Sequence, residues 1–184
     1  MRTGLASNAK WICALFALGV VYPPGSAAAD PGAAFPLRSE YKEVATIGTK
    51  ELAERFDRVT IIDVRSKYEY DTLHITSAVL VPISDTSFVE SIRKLRGETD
   101  RPLVFYCNGI TCRKSYDAAR LAHIYYVPNT YVYDAGIAEW AHKQPERSVL
   151  LGKSPIEPKD LISEAQLKAR FLDPKAFQAK VGRS

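Results

Sequence analysis

Leu103-Val104-Phe105-Tyr106-Cys107-Asn108-Gly109-Ile110-Thr111-Cys112-Arg113-Lys114-Ser115 is the stretch that decides the fold. Four uninterrupted apolar and aromatic residues read as a strand buried on both faces, and Pro102 starts it. The strand runs into a cysteine. A loop with one glycine, a second cysteine and two cations follows, and Ser115 to Ile124 then reads as a helix that offers Ala118, Ala119, Leu121 and Ala122 for burial. Strand, loop and helix in this order can aim successive backbone N–H groups and a helix N-terminus at one sulfur. Such surroundings favour the thiolate, which is the reactive form of cysteine. Cys107 is therefore the candidate nucleophile.

The same alternation extends in both directions. Upstream, Thr49 to Phe56 has helical spacing of its apolar residues, with Thr49 as the expected cap. Val59 to Val64 and Ala78 to Ile83 read as β-branched buried strands, and Thr86 to Leu95 as a helix. Downstream, Thr130 to Tyr133 reads as a strand and Ile137 to His142 as a helix. Strands alternating with helices predict an α/β fold with a mostly parallel central sheet flanked by helices. Ligands of such sheets sit beyond the carboxyl ends of the strands, where Cys107 lies.

The termini differ in character. Arg2 and Lys10 precede the apolar run Trp11 to Val21, Pro23-Pro24-Gly25 breaks it, and Ser26-Ala27-Ala28-Ala29 supplies small residues for cleavage. The run is shorter than the roughly 20 residues of a membrane span. Residues 1–29 thus read as a signal peptide. The mature chain is expected to be exported, periplasmic or secreted, with no membrane contact after cleavage. Residues 30–43 read as an N-terminal lead-in, 44–149 as the folded domain, and 150–184 as a linker with a helical extension from Asp160 to Lys180. Two units of the formal charge of +4 belong to Arg2 and Lys10. The balance that remains is too mild to point to nucleic acid. Only Cys107 and Cys112 follow the signal peptide, too few for a disulfide scaffold, so they read as chemistry or as a local redox switch. His123 and His142 have no cysteine or carboxylate at metal-ligand spacing, and neither a metal nor an organic cofactor is expected.

Four segments in order resemble the rhodanese (sulfurtransferase) domain family over about residues 44–143. They are Ile61-Ile62-Asp63-Val64-Arg65 with Glu69-Tyr70; His74-Ile75-Thr76-Ser77-Ala78 leading to Val81-Pro82; Tyr106-Cys107; and Tyr133-Asp134-Ala135-Gly136-Ile137-Ala138-Glu139-Trp140. The family usually has glycine where Leu73 and Ser77 stand here, and arginine where Cys112 stands. The resemblance implies a rhodanese-like fold and covalent sulfur transfer. A Cys107 persulfide would take sulfane sulfur from a thiosulfate-like donor and pass it to cyanide, a small thiol or a protein thiol partner.

On that reading the backbone amides of Asn108, Gly109, Ile110, Thr111, Cys112 and Arg113 form the anion cradle. Arg113, with Lys114, holds the donor, arginine being the better fork for an oxyanion. Asp63 and Arg65 are expected to tie loops near the site, and His74 to be a hydrogen-bonded structural residue. Cys112 is open between a sulfur relay, a resolving thiol, a disulfide partner of Cys107 and a small buried residue. Two alternatives stand beside sulfur transfer. One is a noncatalytic persulfide carrier or binding module. The other is a cysteine-dependent phosphatase or arsenate reductase using the loop from Cys107 to Arg113.

Overall fold

The computed structural model describes residues 35–161. The segment expected to be a signal peptide and most of the expected C-terminal extension lie outside the described residues. Four strands, β1 (Thr60–Asp63), β3 (Val79–Leu80), β4 (Leu103–Tyr106) and β5 (Thr130–Tyr133), form one parallel sheet in the order β3-β1-β4-β5. Ile61 pairs with Val104 and Val104 with Tyr131, so the two central strands are flanked on both sides. Beyond β5 the chain at Ala45–Ile47 covers the edge. Val132 donates its N–H to the Ala45 carbonyl at 2.8 Å, and Ile47 donates to the Val132 carbonyl at 2.9 Å. Edge groups left unpaired would invite pairing with another chain.

The two-residue period of the strands divides the core. Ile62, Leu103, Phe105 and Val132 face α3 (Phe88–Glu98) and α4 (Lys114–Ile124), packing on Phe88, Ile92, Ala118 and Ala122. Ile61, Val104, Tyr106 and Tyr133 face α1 (Thr49–Glu54) and α5 (Gly136–Lys143), packing on Leu52, Ile137 and Trp140. Each fully buried Leu or Ile in these layers contributes about 1.5–3 kcal/mol of transfer free energy. The α/β class with a mostly parallel sheet and flanking helices is the one the alternation predicts.

Several elements differ from the sequence expectation. Thr49 is the first helical residue and not the cap, which falls on Gly48. The Thr49 hydroxyl instead donates to Glu139 and lies 3.0 Å from the Tyr133 hydroxyl. The strand expected over 78–83 has only two paired residues. A short helix, α2 (Lys67–Thr72), and a two-stranded antiparallel ribbon of β2 (Leu73–Ile75) with β6 (Ser148–Leu150) are additions. Ser66 caps α2 in a reciprocal box with Glu69. The Ser-x-x-Glu spacing was the available signal for that helix.

The segment read as a lead-in packs on the domain over residues 35–43. Leu37 and Tyr41 are buried in the layer that holds α3 and α4. The Tyr41 ring lies 4.8 Å from that of Tyr116. Arg38 reaches the buried Asp134. Leu37→Ala is therefore expected to destabilise the domain by about 2–3 kcal/mol, a core truncation rather than a change in a tether. A shift in the urea midpoint of the full chain measures it.

Candidate functional site

The residues before Cys107 are fixed on both sides by β1 and β5. Cys107 continues the row of Leu103 and Phe105 into the layer of α3 and α4, and it is 1% exposed. Its carbonyl accepts a hydrogen bond from the Ile137 N–H at 2.9 Å, and the Asn108 carbonyl accepts one from the Ala138 N–H at 3.2 Å. The first turn of α5 thus pins two successive peptides of the loop. In a trans peptide the C=O and N–H point in opposite directions. The amides of Asn108 and Gly109 are thereby turned away from α5. Neither they nor the amides of Ile110 and Thr111 have a hydrogen-bond partner among the described residues.

Gly136 makes this contact sterically feasible. Its φ of +68° is in the left-handed region. A Cβ there would lie 2.5 Å from the Gly109 nitrogen and 2.6 Å from the Cys107 carbonyl oxygen. Backbone therefore packs on backbone, and only glycine fits.

Cys107 is joined to Cys112 by a disulfide, with the two Cα atoms 6.3 Å apart. That separation is inside the range such bonds accept. Of the roles open to Cys112 from sequence, the structure displays that of disulfide partner. The loop curls to allow it, the Cys112 N–H donating to the Gly109 carbonyl at 2.9 Å. Burial suits the uncharged bonded sulfur of Cys107. A free thiolate at that position would depend on the loop amides for its charge.

A buried polar cluster supports the loop from the side of α2. Arg65 donates to both oxygens of Asp63, at 2.9 and 2.6 Å, and both residues are almost wholly buried. Burial opposes the Arg65 charge, but the Asp63 carboxylate outweighs it and raises the pKa further. Tyr106 donates its hydroxyl to Asp63 at 2.5 Å. Burial, and then the same carboxylate, push the Tyr106 pKa well above its ordinary value. Arg65 also donates to the Asn108 side-chain oxygen at 3.1 Å and to the Leu73 carbonyl at 2.6 Å. The Asn108 amide in turn donates to Glu69 at 2.8 Å. Asp63, Arg65 and Asn108 thus form one connected unit beneath the loop.

A second cluster lies on the side of α4. Asp134, just past β5, accepts from Arg38 at 2.7 and 3.0 Å and from the Tyr116 hydroxyl at 2.5 Å. Sequence reasoning placed Asp134 in a signature without assigning it a partner, and it passed over Arg38 and Tyr116. The separation of Arg38 from Asp134 along the chain left no local signal.

The two cations assigned to the donor have carboxylate partners. Arg113 pairs with Glu40 at 2.7 Å and lies over the Tyr41 ring, and Lys114 lies 3.5 Å from Glu69. His74 stacks on Tyr70 and its Nδ1 contacts the Tyr70 carbonyl at 2.7 Å. Ile110 and Thr111 form the outer part of the loop, Thr111 being exposed.

A cysteine at the end of a parallel strand, its loop clamped by the helix that follows the neighbouring strand, defines a rhodanese-type α/β domain. The rhodanese-like domain family matches residues 48–143, just over half of the chain, and the chain belongs to that family. Among solved structures it is similar to the BH2092 protein of Bacillus halodurans, with 17% identity, a TM-score of 0.52, and 74% of this chain and 95% of that one covered. It is also similar to the As-Sb reductase of Leishmania major, with 22% identity, a TM-score of 0.51, and 70% and 98% covered. At these identities the likeness is one of fold. Among curated proteins, a tRNA uridine(34) hydroxylase of Photorhabdus laumondii is 36% identical over 93 residues, which is 48% of this chain and 25% of that protein. An HTH-type transcriptional regulator of Mycobacterium tuberculosis is 39% identical over 64 residues, 35% of this chain and 26% of that protein. The chain spans about a quarter of the length of these relatives.

Two outcomes test the site's construction. Gly136→Ala is expected to cost about 2–4 kcal/mol, combining a left-handed alanine with a collision against loop backbone. Urea unfolding of the full chain measures this. Glu69 supplies a pH signature. Its partial burial disfavours the charge, but hydrogen bonds from Asn108 and Ser66, and Lys114 nearby, prevail and hold its pKa at about 2, below the ordinary 4.5. Its contribution to stability is present above about pH 4.5 and is lost as pH falls towards 2. The stability difference between the wild type and Glu69→Gln should therefore shrink across that window in denaturation curves taken at successive pH values.

Proposed function

We propose that this chain is an exported sulfurtransferase that moves sulfane sulfur through a persulfide on Cys107. The observation that carries the reading is the pinned loop. α5 holds the Cys107 and Asn108 carbonyls, which leaves the next amides free to stabilise an anionic sulfur. The active form is the dithiol, because the disulfide leaves Cys107 no lone nucleophile. The reduced Cys107 thiolate attacks the outer sulfur of thiosulfate or a similar donor. The S–S bond of the donor breaks, sulfite leaves with the electron pair, and Cys107 carries the persulfide. A thiophilic acceptor then takes the outer sulfur and regenerates the thiolate. The donor and acceptor are small molecules or protein thiols.

Phosphatase or arsenate-reductase chemistry would need a guanidinium facing the loop amides. Arg113 pairs with Glu40 over the Tyr41 ring instead, so that chemistry would first require this exposed pair to open.

Reduced full chain carrying Cys112→Ser, in which the disulfide cannot close, is expected with thiosulfate and cyanide to release sulfite and thiocyanate with repeated turnover, and the further change Cys107→Ser to reduce this to background. Sulfite release unaffected by Cys107→Ser would overturn the assignment. A single equivalent of sulfite without turnover would identify a carrier instead.

A further inference from the structure

We infer that Cys112 is an internal acceptor for the sulfur on Cys107, so that the chain reduces sulfane sulfur to hydrosulfide and is itself left in the disulfide form. The inference rests on the Cys107 persulfide proposed above. The disulfide shows that the Cys112 sulfur reaches the inner sulfur of any group carried by Cys107. In the reduced, persulfidated chain, the Cys112 thiolate attacks Cys107 Sγ. The Cys107–Cys112 bond forms, and the bond from Cys107 Sγ to the outer sulfur breaks. Hydrosulfide leaves with the electron pair. The two cysteine sulfurs are oxidised, and the sulfane sulfur is reduced by two electrons.

The arrangement of the bond suits its reopening. Cys107 is 1% exposed, whereas Cys112 lies partly open on the loop. An external dithiol therefore meets Cys112 first and forms a mixed disulfide there. Cys107 leaves as the thiolate at the root of a loop whose Asn108, Gly109, Ile110 and Thr111 amides are unpaired among the described residues. A stabilised leaving thiolate accelerates such exchange. The second thiol of the dithiol then releases Cys112, and the dithiol is oxidised to its own disulfide. The partner is thus a dithiol reductant, small or protein-borne.

The bond is a poor candidate for a purely structural staple. It closes a loop of only five-residue separation, for which the entropic stabilisation is smaller than longer loops provide. The fold already has two buried apolar layers, a buried ion pair and a second, partly buried one without it.

The test is a single turnover. Full chain is reduced, freed of reductant, and mixed with thiosulfate alone. Sulfite, sulfide and intact mass are then followed. The wild type is expected to release sulfite and sulfide in equal amounts, one of each per chain, and to end two hydrogens lighter than the reduced chain. Cys112→Ser is expected to release sulfite, to retain one added sulfur atom, and to yield sulfide only at background. A wild type that releases sulfite yet keeps the added sulfur overturns the internal acceptor and leaves the sulfurtransferase reading standing. Absence of sulfite from both chains overturns the sulfurtransferase reading and the inference with it.

Discussion

The buried Asp63–Arg65 ion pair is the constraint on which the site's architecture depends. Two charges withdrawn from water are tolerable only when their remaining hydrogen-bonding groups are satisfied. Asp63 therefore takes Tyr106 from β4 as well as Arg65, and Arg65 takes the Leu73 carbonyl and Asn108. Satisfying one pair thus joins the end of β1, the end of β4, the start of β2 and the first loop residue after Cys107. Removing one partner alone would strand a buried charge, at a cost of about 3–5 kcal/mol. A shift of the loop's root out of register would strand the same charge, so the pair fixes that register.

Asp134 repeats the arrangement across the sheet, with a different arginine and a different tyrosine. Its partners, Arg38 and Tyr116, come from the segment before α1 and from α4. Each buried carboxylate thus has one guanidinium and one phenol, and the cysteine loop lies between the two clusters in the chain's path from β4 to α4. α5 completes the frame through the two hydrogen bonds to loop carbonyls. The loop is held at its root by side chains and along its back by main chain. Of its outer residues, Thr111, Arg113 and Lys114 are exposed, with Glu40 and Glu69 as the cations' partners, while Cys112 turns inward to Cys107.

The parallel strands were legible because burial on both faces writes them as continuous apolar runs, and β4 and β5 fall on the predicted residues. The helix after Cys107 was legible from its alanines. The antiparallel ribbon was not, because Leu73–Ile75 and Ser148–Leu150 are too short to show a period and pair across most of the domain. The lead-in misled through its Pro, Gly and Ala content, although Leu37 and Tyr41 are core residues. Cys107 and its loop could be read locally. The partners of Asp134, and the engagement of Arg113 by Glu40, could not, since each depends on contacts between distant segments. Ser77 is instructive in another way. It stands where the family usually has glycine, and its φ of +62° keeps the left-handed turn that favours glycine. Ser77 adopts it despite a side chain that costs about 1 kcal/mol in that region.

The two cations at the start of α4 complete the electrostatic picture. Positive charge beside a helix N-terminus opposes the helix dipole, so Arg113 and Lys114 need negative partners. Glu40 and Glu69 supply them, and both pairs are half exposed. Exposed pairs of this kind hold by no more than about 1 kcal/mol. Glu69 is anchored more firmly by Asn108 and Ser66 than by Lys114, so the lysine can leave without unsettling the carboxylate. An anionic sulfur donor approaching the loop would compete for cations that are present and weakly held. Arg65, locked to Asp63 below, has no such freedom. The same loop therefore separates two uses of positive charge: a buried arginine that fixes geometry, and surface cations free to exchange one anion for another.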